Sequence, residues 1–181
     1  MNFTPTVIKD VILIEPKVFG DTRGFFLETY RRDLFHEHGI DVEFVQWNHS
    51  LSVKNTLRGL HYQAEKPQGK LVRVIQGEVY DVAVDIRSGS PTFGKWVAEI
   101  LSAANKKQLF VPTGFAHGFC VLSNMAEFIY ACTDYYHPQS ERGIAWNDPD
   151  LGIPWPVRDP ILSEKDKYNP RLKDIGRDFI Y

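Results

Sequence analysis

The sequence predicts an all-β fold, an antiparallel sandwich or barrel wrapped by a C-terminal segment of loops and short helices. Three observations carry the prediction. Short apolar, β-branched runs recur along the chain, separated by Gly, Asn and Pro turns. Glu78 to Arg87 alternates, with Val79, Asp81, Ala83 and Asp85 on one face and Tyr80, Val82, Val84 and Ile86 on the other, which is the period of a strand. After Tyr136 the composition changes: Pro138, Pro149, Pro154, Pro156, Pro160 and Pro170 break up a stretch whose Trp146 and Trp155 pack it onto the barrel.

Taken in order, Val7 to Glu15 reads as a strand stopped by Pro16. Phe19 to Gly24 is turn-rich, and Phe25 to Tyr30 resumes strand composition. Arg31 to His38 is the best helical stretch, closed by Gly39. Phe44 to Leu51 is apolar and aromatic enough for a strand, and Lys70 to Gln76 is a β-branched run ending at Gly77. Ser88-Gly89-Ser90-Pro91 turns the chain into Trp96 to Leu101, and Asn105-Lys106-Lys107 leads into Gln108 to Val111. Phe119 to Leu122 and Glu127 to Cys132 form a pair split by Ser123-Asn124. The expected organisation is one domain over residues 1–181.

Composition excludes several classes. Lys plus Arg number 21 and Asp plus Glu 23, a formal charge of −2 with no long charge block, so neither a nucleic-acid arm nor a membrane patch is expected. A small anionic substrate can still be met by a few local cations. Met1 to Lys9 has no apolar core of a signal peptide, and no apolar run approaches the ~20 residues of a spanning helix. Cys120 and Cys132 lie in apolar or aromatic runs and read as buried thiols of a reducing compartment. A cytoplasmic protein is expected.

Two histidines carry the chemistry. His61 stands in Arg58-Gly59-Leu60-His61-Tyr62-Gln63, and His117 in Pro112-Thr113-Gly114-Phe115-Ala116-His117-Gly118-Phe119. Glycine beside each gives room for close backbone approach, and an apolar frame excludes water, so a neutral imidazole can act as a base. In a strand His61 and Gln63 share a face; a bulge at Gly59 lets Arg58 reach it too. A hairpin through Pro67-Gln68-Gly69 brings Lys70 near His61. A base beside an ammonium suits removal of a proton next to a carbonyl, the cation stabilising the enolate. Alone, each histidine reads as a core residue and Lys70 as a solvated strand end. A metal site is the competitor, but His61-Tyr62-Gln63 lacks a second histidine, leaving only Glu65 and His117 as further ligands. Tyr130 lies on the face opposite Ile129 and is either a candidate acid or a packed barrel tyrosine. Arg23, next to Gly24 and near Glu28, either grips a phosphate or pairs with a surface acid.

These residues resemble the dTDP-4-dehydrorhamnose 3,5-epimerase family. The strings run almost end to end: Gly20-Asp21-Thr22-Arg23-Gly24-Phe25-Phe26, Arg58 to Gln63, Gly69-Lys70-Leu71-Val72-Arg73, Gly77 to Arg87, Ser90-Pro91-Thr92-Phe93-Gly94, Pro112 to Phe119 and Trp146-Asn147-Asp148-Pro149. The resemblance implies a cupin-type jelly-roll barrel without metal or cofactor, acting as a homodimer on a dTDP-sugar. It implies His61 as base held by Asp166, Tyr130 as acid on the other face of the sugar, and Lys70 at the enolate. Arg23, Phe26, Glu28, Gln46, Asn48, Arg58, His117, Glu141 and Lys165 would bind the nucleotide sugar, some from the partner subunit, and Tyr136 would line the pocket and influence ring reorientation. Trp47, bulky between Gln46 and Asn48, is expected to face away from the ligand. The resemblance leaves open a single-carbon epimerase of a related nucleotide sugar. A metal-dependent cupin enzyme and a non-catalytic sugar-binding barrel compete with both.

Overall fold

The computed structural model describes residues 1–181. Its strands are β1 (Asn2–Pro5), β2 (Ile12–Glu15), β3 (Val18–Asp21), β4 (Gly24–Leu27), β5 (Gln46–Val53), β6 (Leu57–Gln63), β7 (Lys70–Gln76), β8 (Glu78–Asp85), β9 (Trp96–Ser102), β10 (Gln108–Val111), β11 (Phe115–Val121), β12 (Met125–Cys132) and β13 (Glu141–Gly143), with one helix, α1 (Arg32–Glu37). A six-stranded sheet in the order β1-β2-β10-β7-β12-β5 faces a five-stranded sheet in the order β13-β6-β11-β8-β9, and β3 and β4 form a separate hairpin. Every pairing between these strands is antiparallel.

Three apolar clusters hold the layers. Between the sheets lie Val72 and Val74 of β7, Val79 and Ala83 of β8, Leu101 of β9, Phe115, Phe119 and Val121 of β11, and Phe128 of β12. Phe119 and Phe128, from opposite sheets, stack with ring centroids 4.2 Å apart. On the outer side of the five-stranded sheet, Leu60, Tyr62, Val82, Val84 and Ile86 pack with Ile144, Leu151 and Leu172 of the C-terminal segment, joined by Trp155 and Phe179. Both faces of β8 are therefore buried, and its alternation separates two buried faces, one of which also carries Asp81 and Asp85, rather than core from solvent. The third cluster sets Phe35 of α1 against Ile14, Leu71 and Phe110 outside the six-stranded sheet.

The C-terminal wrap is present, with short 3-10 helices at Lys165–Tyr168 and Leu172–Asp174. Its end is pinned where Ser88 N–H donates to Phe179 O at 2.8 Å and Tyr181 N–H to Ser88 O at 3.0 Å.

The structure departs from the sequence reading at four places. Val7 to Glu15 is not one strand: Val11 N–H donates to Ile8 O at 2.9 Å and closes a turn, so a hairpin of β1 and β2 replaces it. Phe19 to Gly24 forms most of the β3–β4 hairpin, whose tip is tied by Arg23 N–H donating to Asp21 Oδ1 at 2.8 Å. The run around His117 joins a strand that already begins at Phe115. The Pro67-Gln68-Gly69 link is not a hairpin, because β6 and β7 belong to different sheets. It crosses the barrel, and His61 and Lys70 line one cavity from opposite sheets instead of lying along one ladder.

Candidate active site

A cavity of about 760 Å³ opens between the sheets and is lined by His61, Lys70, Tyr130, Asp166, Gln46, Asn48, Arg58, His117, Tyr136, Glu141 and Lys165, among others. These are eleven of the fourteen residues the sequence proposed. β6 supplies Arg58 and His61, β7 Lys70, β12 Tyr130, β11 His117 and β5 Gln46 and Asn48.

A bulge explains how Arg58 and His61, three residues apart, share the cavity. On β11, His117 pairs with His61 and Phe119 with Arg58, so three steps on β6 match two on β11. Gly59 stands there at φ +115°, and a Cβ on it would lie 2.6 Å from His117 O. Only glycine fits a left-handed position with a backbone that close. The guanidinium Nε of Arg58 donates to Ser52 Oγ at 3.0 Å.

His61 Nε2 lies 2.5 Å from Asp166 Oδ1, and Asp166 is 3% exposed. The segment that carries Asp166 is laid beside β6 by Leu57 N–H donating to Ile161 O at 3.0 Å and Ile161 N–H to Asn55 O at 2.9 Å. Burial pushes the Asp166 carboxyl up, but the bonds from His61, Ser163 and the Gly59 N–H outweigh it and leave it below the ordinary range. An ionised carboxylate only accepts, so Nε2 carries the hydrogen and Nδ1 keeps the free lone pair. Glu65, the other partner the sequence offered His61 and the oxygen donor for a metal, is exposed and outside the cavity lining.

Lys70 and Tyr130 come from the sheet opposite His61. Burial pushes the Lys70 ammonium below the ordinary lysine range, against the pull of Cys132, Asp81 and Glu141. It is not a solvated strand end. Burial pushes the Tyr130 phenol up, so it stays protonated near neutral pH. His117 Nε2 lies 2.8 Å from the buried Asp81 Oδ1, a partner missed in the sequence; its one signal was a carboxylate amid the apolar residues of β8.

At the mouth, Glu141 links two elements. Tyr136 donates its phenol proton to Glu141 Oε2 at 2.8 Å, and Lys165 Nζ lies 2.5 Å from Glu141 Oε1. Burial pushes the Glu141 carboxyl up, and these two bonds bring it below its usual value. Gln46 and Asn48 face the cavity while Trp47 between them is 56% exposed on the far side.

Arg23, Phe26 and Glu28 are not brought to this cavity. Arg23 pairs with Asp21 on the β3–β4 hairpin, Phe26 is exposed on the same hairpin, and Glu28 follows it at 3.9 Å from Arg31. Within one chain the surface ion pair is what Arg23 makes. Both cysteines are buried and free. No helix is long and apolar enough to cross a membrane.

Comparison with known proteins places this arrangement. A family model described as dTDP-4-dehydrorhamnose 3,5-epimerase matches residues 5–174. The chain is 58% identical over 176 residues to a Pseudomonas aeruginosa protein of that name, covering 96% of this chain and 97% of that one. It is similar to the crystal structure of dTDP-6-deoxy-D-glucose-3,5-epimerase from Legionella pneumophila in complex with dTDP-4-keto-L-rhamnose, with TM-score 0.97 and 53% identity over 99% of this chain and 98% of that chain. A Streptomyces niveus protein named dTDP-4-dehydrorhamnose 3-epimerase is 38% identical, covering 92% of this chain and 82% of that one. The likeness gives the two-sheet barrel its class, a cupin-type jelly roll.

Proposed function

Because the chain belongs to the dTDP-4-dehydrorhamnose 3,5-epimerase family, we propose that it converts dTDP-4-dehydro-6-deoxy-D-glucose to dTDP-4-dehydro-L-rhamnose by inverting carbons 3 and 5, in dTDP-L-rhamnose biosynthesis. It is an isomerase. The observation that supports the chemistry is the placement of His61 and Tyr130 on opposed sheets of one cavity. Inversion needs a base on one face of the sugar and an acid on the other.

The ketone at carbon 4 acidifies the hydrogens on both neighbouring carbons. His61 Nδ1 takes one of them, and the electron pair of the broken C–H bond moves to the ketone oxygen. The Lys70 ammonium stabilises that enolate. Tyr130 then gives its phenol proton to the opposite face of the same carbon, and solvent restores both residues before the second round. Asp166 fixes the tautomer of His61 and stabilises its protonated form. Arg58 and Lys165 carry the donors for the diphosphate, with His117, Gln46, Asn48 and Glu141 at the nucleotide sugar. No metal enters this scheme.

The same reading has the protein work as a cytoplasmic homodimer. The hairpin exposes Phe19, Phe25 and Phe26, and the edge strand β5 exposes Trp47, Leu51 and Val53, apolar side chains that a second subunit would cover. Arg23, Phe26 and Glu28 would then serve the cavity of the partner subunit.

Turnover in deuterated water tests the function. Label is expected at both carbons, and His61→Ala is expected to lower exchange at each by at least ~10²-fold. Label at one carbon alone makes this a single-carbon epimerase, the reading favoured by the Streptomyces relative. Binding without exchange leaves a sugar-binding barrel.

A further inference from the structure

Gln63 lies two residues beyond His61 on β6, is 4% exposed, and takes no part in the proton transfers. Its Nε2 donates to Lys66 O at 2.5 Å and to Tyr135 O at 3.0 Å. Its Oε1 accepts from His137 N–H at 2.8 Å. One side-chain amide thus grips the peptide groups on both sides of Tyr136. Gln46 Oε1 accepts the N–H of Tyr136 itself at 2.8 Å. The ring has little else to hold it: it is 51% exposed, tethered by the bond of its phenol to Glu141. Its place at the cavity mouth is set by this backbone clamp more than by packing. The clamp is stiff, because loosening it strands a buried amide whose donors and acceptor are all in use.

The cavity presents one base and one acid, yet two carbons are to be inverted. They flank the ketone on opposite sides of the sugar ring, so the ring has to be presented to His61 in two ways. A rigid wall at the mouth decides how well each presentation fits. We propose that Gln63 is a positioning residue: by clamping the backbone on both sides of Tyr136 it fixes where that ring stands, and so sets the ratio of proton exchange at carbons 3 and 5. This rests on the two-carbon reading of the site.

The test measures deuterium wash-in at each carbon by NMR, using the full chain and dTDP-4-dehydro-6-deoxy-D-glucose. Gln63→Met keeps length and volume and removes the amide. It is expected to change the ratio of the two exchange rates by about tenfold, the scale of a sub-ångström misplacement, while the faster rate keeps its order of magnitude. Tyr136→Ala is expected to move the ratio the same way, with no further change in the double variant. Gln63→Leu, which likewise removes the amide without adding a buried charge, should act as Gln63→Met does; it carries the test if Gln63→Met does not fold by circular dichroism. An unchanged ratio, or equal slowing at both carbons, overturns the proposal. So does an effect of Gln63→Met that persists in the absence of the Tyr136 ring. Label at only one carbon in the unaltered protein shows instead that the two-carbon reading has failed.

Discussion

Lys70 shows how burial turns a common residue into a working one. Its ammonium is held in the barrel between sheets, and burial shifts its proton loss to lower pH than an ordinary lysine. Only the protonated form stabilises an enolate, so activity is expected to fall on the alkaline side with a midpoint below 10.5, the ordinary lysine value. Burial moves the Tyr130 titration the other way, upward from 10.0, so substitution at Lys70 tells the two groups apart. Lys70→Arg is expected to carry the limb to higher pH whatever it does to the maximal rate, since a guanidinium stays charged; a kcat profile with the limb unmoved would assign it elsewhere. The second prediction at this scale concerns Tyr130→Phe, which keeps the ring and removes the acid. His61 should still exchange protons on its own face while inverted product is lost. Deuterium wash-in read beside product stereochemistry checks this, and normal product would return Tyr130 to the core.

At the scale of the element, β6 does two jobs with one irregularity. The bulge at Gly59 lets Arg58 and His61 point into the same space, which a regular strand forbids. Gly59→Ala forces a Cβ to 2.6 Å from His117 O at a positive φ. A loss of about 1–3 kcal/mol in stability is expected, together with a parallel fall in exchange at both carbons as His61 shifts. Denaturant unfolding and exchange rates measure the two effects; full stability and full exchange in the variant would mean that the ladder tolerates the side chain.

For the whole molecule, the catalytic dyad depends on how the C-terminal segment is tied to the barrel. Asp85 is one such tie. Buried at the end of β8, it accepts from Arg87, Ser90 and Thr92, and Arg87 in turn lies 4.7 Å from the centroid of Phe115 and 4.9 Å from that of Tyr181. Burial raises the carboxyl, the bonds outweigh it, and the result is about 2 against an ordinary 3.8. A depressed carboxylate stabilises the fold above its ordinary value and loses that contribution as pH falls toward about 2. Asp85→Asn is therefore expected to cost about 2 kcal/mol at neutral pH, roughly 4–8 °C in Tm, and less as the solution is acidified toward that value; a Tm gap independent of pH would refute the linkage. The dimer reading is checked by complementation. Mixing Arg23→Ala with His61→Ala subunits is expected to restore activity that neither variant has alone, because one of the two cavities then holds both intact residues. No recovery after subunit exchange would place Arg23 outside the site.

The all-β class, most strand positions and the candidacy of His61, His117, Lys70, Tyr130 and Arg58 were legible in the residues themselves, because period-two alternation and turn residues are local properties; the other proposed cavity residues were named through the family resemblance. Lys70–Gln76 and Gln108–Val111 match their predicted limits, and the glycine beside Arg58 announced the bulge. Which sheet each strand joins was not legible. Register and crossover depend on contacts far apart in sequence, so the link from β6 to β7 read as a hairpin when it crosses the barrel. The same holds for Asp81, whose pairing with His117 spans 36 residues, and for Gln63, whose clamp reaches 72 residues to Tyr135; the pairing of Asp166 with His61 across 105 residues was expected only from the family resemblance. Local patterning thus established which chemical groups were at hand. Which of them meet was decided by the packed chain, because a buried polar group takes the partner that long-range packing brings to it.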